Sequence, residues 1–180
     1  MTRIVALDLA TIAGVAIERP DGSIRRETVD LCELAQVPKH KAARNHGRLF
    51  IALECLVDII LRGAEPGVIA IEDDTGRNKA TAALLAGYRA IVTCAATKAG
   101  VRVISDMNAS DARKLAGLPA GGTSKDVVTA KARRLFSIPA TATDDEVDAE
   151  ILLHATRARL AQEEFARLVK SKTKRTRRAA

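Results

Sequence analysis

The chain has 180 residues, of which 47% are hydrophobic and 28% are charged, a composition that fits one globular domain with its own core. No uninterrupted apolar run approaches the roughly 18 residues needed to cross a bilayer, and the N-terminus is a poor secretory signal. We therefore expect a cytoplasmic protein. Three widely spaced cysteines without a CxxC pair argue against a disulfide scaffold or a thiolate zinc site.

The positive charge is concentrated at the C-terminus. The formal net charge is +7, and the last eleven residues, KSKTKRTRRAA, contain six Lys or Arg and no acid, so residues 1–169 carry only 7 − 6 = +1. We predict one domain over residues 1–169 and a flexible basic tail over residues 170–180. Such a tail favours sequence-independent contact with a polyanion such as nucleic acid, although a tail that only aids solubility has the same composition.

The first third of the chain predicts three antiparallel strands and a helix. Apolar and alternating segments predict strands at residues 3–9, 14–18 and 24–31, with a turn at Pro20-Asp21-Gly22-Ser23 between the second and the third. Leucine, valine and isoleucine at helical spacing then predict a helix over residues 41–62 that ends at Gly63.

The remainder predicts alternating strands and helices. Strands are expected at residues 67–72 and 101–105, and an alanine-rich helix at residues 79–98. Asn108 with Asp111 predicts a short helix through Leu115, and Thr123 with Asp126 predicts another through Phe136. A final helix is expected from Asp144 to about residue 170. This order of elements predicts a mixed α/β fold.

Four acids stand where carboxylates are costly or paired. Asp8 and Glu72 end the two most apolar predicted strands, and Asp145 and Asp148 share one face of the last helix. Taken singly, each acid also fits a turn cap, a solvated strand end or the first turn of a helix. Together they would repel one another and raise their pKa values unless a hard cation such as Mg²⁺ or Mn²⁺ bound between them. Two such ions support phosphodiester cleavage.

These segments carry a resemblance to a known family. VALDLATIAGVAI, AIEDDTGRNKATAALLAGYRAIVTCA and DEVDAEILLHA resemble, in this order, the RuvC family of Holliday-junction resolvases, within the ribonuclease H-like superfamily. The resemblance extends over residues 4–160. It implies a ribonuclease H-like α/β fold, in which a five-stranded sheet with three antiparallel and then parallel strands is flanked by helices. It also implies a bacterial or phage-infected cell as the setting.

The resemblance also implies roles for particular residues. Asp8, Glu72, Asp145 and Asp148 would be catalytic metal ligands for two Mg²⁺ or Mn²⁺ ions. The family's lysines near the cleaved strand match Lys114 in ARKLAG and Lys125 in TSKDVV, of which we assign Lys125 to catalysis and Lys114 to substrate binding. The substrate would be a four-way DNA junction bound by a homodimer.

The chain departs from familiar bacterial members at two places. Leu9-Ala10-Thr11 replaces their Pro-Gly, which brings the chain closer to phage-type members, and Thr75 stands near the position of an aromatic that contacts unstacked bases. Phosphate contacts from Arg77, Asn78 and Lys79 are expected there instead. Asp73 and Asp74 are interpreted as loop residues.

Four functions remain open at this point. The first is a junction-cleaving endonuclease whose dimer contact uses the small-residue face of the helix over residues 79–98; the alternative is that this face covers the sheet. That face consists of Ala80, Ala83, Leu84, Gly87, Ile91 and Ala95. The second is a related nuclease acting on other branched DNA or on RNA/DNA hybrids. An ATP-binding module and a non-catalytic nucleic-acid binder are the third and fourth.

Overall fold

The computed structural model describes residues 2–73 and 79–179, and within these ranges it omits the side chains of Lys41, Ala43, Arg44 and residues 172–179. Five strands form one mixed sheet in the order β3-β2-β1-β4-β5. The strands are β1 (Ile4–Asp8), β2 (Ile12–Glu18), β3 (Ile24–Asp30), β4 (Val68–Glu72) and β5 (Arg102–Met107). The helices are α1 (Leu31–Leu34), α2 (His46–Ala64), α3 (Lys79–Lys98), α4 (Ala109–Leu115), α5 (Lys125–Phe136) and α6 (Asp144–Ala179), with a 3₁₀ helix at Lys39–Arg44.

The sheet has the predicted mixture of strand directions. β2 pairs antiparallel with both β1 and β3, whereas β1, β4 and β5 run parallel. The predicted turn between β2 and β3 is present: Gly22 has a φ of +82°, and the Ser23 backbone N–H donates to Asp21 Oδ1 at 2.9 Å. The prediction of an α/β fold with a five-stranded mixed sheet flanked by helices is confirmed.

Side chains alternate along the central strands and divide the sheet into two different faces. One face carries large aliphatic residues, which pack in a core with α2 and α3; they are Val5, Leu7, Val15, Ile69 and Ile71. The opposite face carries alanines at its centre, namely Ala6, Ala16 and Ala70, and α6 packs on it through Ala149, Leu152 and Leu153. The small side chains allow this helix to lie close to the strands.

Helix α5 packs mainly against α6. Val128 and Ala132 of α5 are buried in a third apolar cluster with Val147 and Ile151 of α6. This packing places the first residue of α5, Lys125, beside the first two turns of α6. α6 itself continues through Ala179, so the helix extends beyond residue 170, where the sequence predicted its end.

Several predicted boundaries were wrong in instructive ways. The segment before α2 forms a 3₁₀ helix rather than the start of one long helix, and Asp30 begins the short helix α1 by accepting from the Cys32 and Glu33 backbone N–H groups. Gly63 lies inside α2, which ends at Ala64 and is followed by Glu65 with a left-handed φ of 43°. Ser124, not Thr123, is the residue before α5. By contrast, Asn108 caps α4 as predicted, through Asp111.

The alanine-rich helix α3 is bound to its own chain on the face predicted to form a dimer. A side chain at Gly87 would meet the Phe50 ring of α2 at 2.4 Å, and Leu84, Ile91 and Ala95 pack partly against the core. The part of this face from Leu84 to Ala95 therefore covers α2 and the core, in agreement with the alternative interpretation, whereas Ala80 and Ala83 are exposed. By length and composition α3 is also apolar enough to cross a membrane, and 22% of that stretch is buried within the fold.

Candidate active site

Asp8 and Glu72 lie side by side at the carboxyl ends of neighbouring parallel strands. Leu7 of β1 is level with Ile71 of β4, so the next residue of each strand is an acid at the same edge of the sheet. Alternation places Asp8 on the face of Ala6, and Glu72 on the face of Ala70. This is the face that α6 covers, so the two carboxylates and the last helix share one side of the sheet.

Gly14 brings the start of α6 against this pair of strands. Gly14 is level with Asp8 across the β1–β2 ladder. A β-carbon built on Gly14 would lie 2.0 Å from the carbonyl oxygen of Asp145 and 2.4 Å from its carbonyl carbon. Only glycine permits so close an approach of helix to strand. The first turn of α6 therefore lies over the strand next to Asp8.

A capping box fixes where α6 begins. The Glu146 backbone N–H donates to Thr143 Oγ1 at 3.2 Å, and the Thr143 backbone N–H donates to Glu146 Oε2 at 3.1 Å. This reciprocal pair satisfies two backbone groups at the helix start. It sets the position of Asp145 in the first turn, with Asp148 one turn further on, and both side chains are partly buried.

The negative charges of Glu72, Asp145 and Asp148 are close enough to Asp8 to change its pKa. Burial, and after it the negative charges of Asp148, Glu72 and Asp145, together raise the pKa of Asp8 from 3.8 to about 7. Burial also raises the pKa of Asp145. A carboxyl group with such a pKa is held in a site that disfavours negative charge unless a cation is present.

Lys125 supplies one cation to this cluster. Its Nζ lies 2.9 Å from Asp148 Oδ2, and its side chain is half exposed. The hydrogen bond to Asp148 raises the pKa of Lys125, and the ammonium in turn opposes the rise in the pKa of Asp8. The structure thus places Lys125 beside Asp148, one of the four predicted metal ligands.

The chemistry of these side chains suits a hard divalent cation. All four contribute carboxylate oxygens, and their mutual repulsion is the kind that Mg²⁺ or Mn²⁺ relieves. In their present rotamers, however, no three acids, histidines or cysteines among the described residues lie close enough to hold one ion together. The four carboxylates thus fit a divalent cation by their oxygen ligands and by their mutual repulsion. In this structure the Lys125 ammonium binds one of them, Asp148.

Of the other predicted substrate contacts, Lys114 and Lys79 occupy exposed helical positions, and the rest fall outside the described residues. Lys114 is exposed on α4 and pairs with Asp111 at 3.5 Å. Lys79 is exposed at the start of α3, while Thr75, Arg77 and Asn78 fall outside the described residues. Asp73, the acid next to Glu72, binds Arg89 of α3 through a 2.6 Å Nη1–Oδ1 contact, as expected of a loop residue.

Comparisons with known proteins identify the fold. No protein-family model matches the chain, and no curated protein matches it by sequence. RuvC of Thermus thermophilus in complex with a Holliday junction substrate superimposes with a TM-score of 0.68 at 15% identity, over 90% of this chain and 96% of that one. A second Thermus thermophilus RuvC structure gives a TM-score of 0.66 at 16% identity, over 89% of this chain and 96% of that one.

The yeast mitochondrial Holliday junction resolvase Ydc2 has the same architecture, with a TM-score of 0.63 at 13% identity over 96% of this chain and 84% of that one. The chain therefore has a ribonuclease H-like α/β fold. Within that class its arrangement of strands and helices is that of RuvC-type resolvases, and the resemblance predicted from the sequence is confirmed at the level of the fold.

Sequence reasoning missed the residues that position the acids. Gly14 was interpreted as an ordinary strand residue, although a glycine inside an apolar strand often marks a close approach of backbone. The Thr143–Glu146 spacing is a readable capping box that the prediction of α6 did not use. Glu150 was not singled out, because nothing in the local pattern shows that this position of α6 is fully buried.

Proposed function

We propose that this protein is a metal-dependent endonuclease that cleaves four-way DNA junctions. The observation that supports it best is the grouping of Asp8 with Glu72, Asp145 and Asp148 at one edge of a RuvC-type sheet, where burial and these three charges together raise the pKa of Asp8 to about 7. One protein with this fold, from Thermus thermophilus, has been solved with a Holliday junction substrate. Asp8, Glu72, Asp145 and Asp148 are the proposed metal ligands.

The proposed reaction is hydrolysis of a phosphodiester. Water adds to phosphorus while the bond to the 3′ oxygen breaks, which leaves a 5′-phosphate and a 3′-hydroxyl. Two divalent ions held in each site by the four carboxylates would supply activation of water and neutralisation of charge. The carboxylates hold and orient these ions, and the ammonium of Lys125 offsets negative charge beside the cleaved phosphate. Lys114 and Lys79 are proposed to contact phosphates further along the DNA.

Replacing Glu72 with Gln tests the nuclease. We expect the native chain to cut a labelled four-way junction in Mg²⁺ or Mn²⁺. Glu72→Gln should lower the cleavage rate by at least roughly 100-fold, the order of loss that follows removal of one charge-stabilising group. Asp73→Asn is the matched control, because it neutralises the adjacent acid, which binds Arg89, and should cleave at the native rate.

The same assay separates the proposal from its alternatives. Fork, duplex and RNA/DNA hybrid substrates should be cut more slowly than the junction. Preferential cutting of forks or hybrids would assign a related nuclease instead. Junction binding without any cutting, and with no effect of Glu72→Gln, would assign a non-catalytic nucleic-acid binder.

The basic C-terminus is proposed to strengthen DNA binding without taking part in cleavage. Residues 170–180 hold six Lys or Arg. Their removal should weaken junction binding and reduce the slope of log K against log salt by up to about 5, since each phosphate contact contributes roughly 0.9. Changing the six to Gln at constant length should give the same result, whereas an unchanged slope would contradict a role in binding. Fluorescence anisotropy over a salt series measures it.

A homodimer is proposed to place two sites on opposite strands of a two-fold symmetric junction. Because Gly87 of the predicted face lies against Phe50 of α2, the exposed small-residue stripe of α3 is the better candidate contact. It shares Ala83 with the predicted face and also comprises Ala86, Ala90, Thr93 and Thr97. Ala90→Glu should convert a dimer into a folded monomer in light scattering. Ile59→Glu, at an exposed position of α2, should leave the dimer intact. A native monomer, or an Ala90→Glu dimer, would contradict this contact.

A further inference from the structure

A buried ion pair joins α6 to the edge strand β3. Glu150 lies on α6 two residues after Asp148, and it is fully buried. Arg26 of β3 donates to both of its carboxylate oxygens, from Nε to Oε2 and from Nη2 to Oε1, the latter at 2.8 Å. Arg26 Nη1 also donates to the Ile24 carbonyl at 3.1 Å, which fixes the guanidinium on the strand.

Glu150 also has a contact within α6, with His154 one turn further along the helix. His154 Nε2 lies 3.5 Å from Glu150 Oε1. The His154 ring stacks on Phe136 at the end of α5, with a centroid distance of 3.8 Å and an angle of 12° between the planes. Glu150 is thus bound from β3 on one side and contacted by a ring that α5 holds in place on the other. A buried carboxylate is tolerable only with such partners.

A second polar contact joins the same strand to the start of the same helix. Thr28 Oγ1 and Thr143 Oγ1 are 2.6 Å apart, and Thr143 is the capping residue of α6. Arg26 and Thr28 lie two residues apart on β3 and so share one face of the strand. Thr143 and Glu150 are seven residues apart, which is about two helical turns. Asp145 and Asp148 lie between these two anchors.

The sheet register connects β3 to Asp8 through rows of residues. In one row across the three strands, Thr28 is level with Gly14, and Gly14 is level with Asp8. In the row two residues away, Arg26 is level with Ala16, and Ala16 is level with Ala6. The residues between the edge strand and β1 are thus glycine and alanine on the α6 face. Contacts with these small residues hold α6 close, but they are non-directional and define its rotation and axial position poorly. A two-pronged guanidinium–carboxylate pair does have direction.

We propose that the Arg26–Glu150 pair, with the Thr28–Thr143 contact, sets the rotation and axial position of α6 and so places Asp145 and Asp148 against Asp8 and Glu72. Arg26, Thr28, Thr143 and Glu150 are positioning residues: they act on the proposed metal ligands through the helix. This inference deepens the proposed function and rests on the four acids being a metal site.

The test compares two double variants of the full chain. Arg26→Met with Glu150→Leu removes both charges at similar volume, and an apolar pair commonly replaces a buried ion pair without loss of stability. Arg102→Met with Glu163→Leu is the matched control, because it makes the same changes in an exposed pair between β5 and α6, with an Nη1–Oε2 distance of 2.8 Å. Calorimetry measures Mn²⁺ binding, and scanning calorimetry measures the unfolding midpoint.

We expect the Arg26/Glu150 variant to unfold within a few degrees of the native chain and yet to bind Mn²⁺ at least 10-fold more weakly. The Arg102/Glu163 control should bind Mn²⁺ like the native chain. A folded Arg26/Glu150 variant with native Mn²⁺ affinity would overturn the inference, since a merely structural pair would be fully replaced by apolar side chains.

A milder variant decides the matter if the double variant does not fold. Thr28→Val removes one hydroxyl from a partly exposed strand position and keeps the side-chain shape. It should fold and bind Mn²⁺ several-fold more weakly, and native affinity in Thr28→Val would then overturn the inference. Failure of the native chain itself to bind Mn²⁺ is a separate outcome, which would overturn the proposed function and this inference with it.

Discussion

Replacing Gly14 with Ala is expected to lower junction cleavage by roughly 100-fold, because about 1 Å of misplacement between catalytic groups can cost that much. The added methyl group would stand 2.0 Å from the Asp145 carbonyl oxygen, a distance that no relaxed structure tolerates. The atoms that the methyl group would meet belong to the Asp145 backbone, which cannot rotate aside as a side chain can. The first turn of α6 must therefore move away from β2. Asp145 and Asp148 would then move away from Asp8.

The same variant should also lose about 1–3 kcal/mol of stability, as overpacked sites usually do. Gly63→Ala is the matched control, because nothing lies within 4 Å of a methyl group at that position of α2. Alanine in a helix is favoured over glycine, so this control should be more stable by roughly 0.5–1 kcal/mol and cleave normally. Urea unfolding and the junction assay measure both effects. Native cleavage by Gly14→Ala would show that the close approach does not position the acids.

Replacing Asp8 with Asn is expected to abolish cleavage and, without metal, to stabilise the protein at pH 8. The native fold must hold a carboxylate whose pKa is raised from 3.8 to about 7. At about 1.4 kcal/mol per pH unit, this shift corresponds to a penalty of up to about 4 kcal/mol once the group is fully ionised. Asparagine has no charge to hold, so the variant escapes this penalty while retaining junction binding.

The effect should depend on pH in a defined direction. Between about pH 4 and pH 7 the folded chain holds the Asp8 proton more tightly than the unfolded chain does, so the native stability falls as pH rises through this window. Below it both states are protonated and the penalty vanishes; above it the penalty is complete. Urea unfolding in EDTA should therefore show the native chain and Asp8→Asn converging near pH 4 and diverging toward pH 8. A constant difference across this range would contradict the raised pKa.

Much of the fold was predictable because local patterns of apolar and polar residues indicate the individual strands and helices. The strand ends at Asp8 and Glu72 are visible as acids closing apolar runs, and the bounds of α3 were predicted correctly as Lys79–Lys98. Helical spacing by itself predicts that Asp145 and Asp148 share one face of α6. The resemblance of these segments to RuvC supplied the order in which they come together.

The sequence did not predict how α6 packs on the sheet, because that packing depends on contacts between residues far apart in the chain. That Gly14 meets Asp145 depends on contact between residues 131 positions apart, and that Arg26 meets Glu150 depends on residues 124 apart. No local pattern reports such distances. Which residues of α3 pack within the chain was unpredictable for the same reason, since the contact of Gly87 with Phe50 of α2 joins distant segments.

The most direct test of a shared metal pocket is anomalous diffraction from crystals of this protein soaked in Mn²⁺. We predict anomalous density between the carboxylates of Asp8, Glu72 and Asp148, with the Lys125 ammonium displaced from its 2.9 Å contact with Asp148. Well-ordered crystals that show no density there at saturating Mn²⁺, or show it only at other acids, would contradict the account.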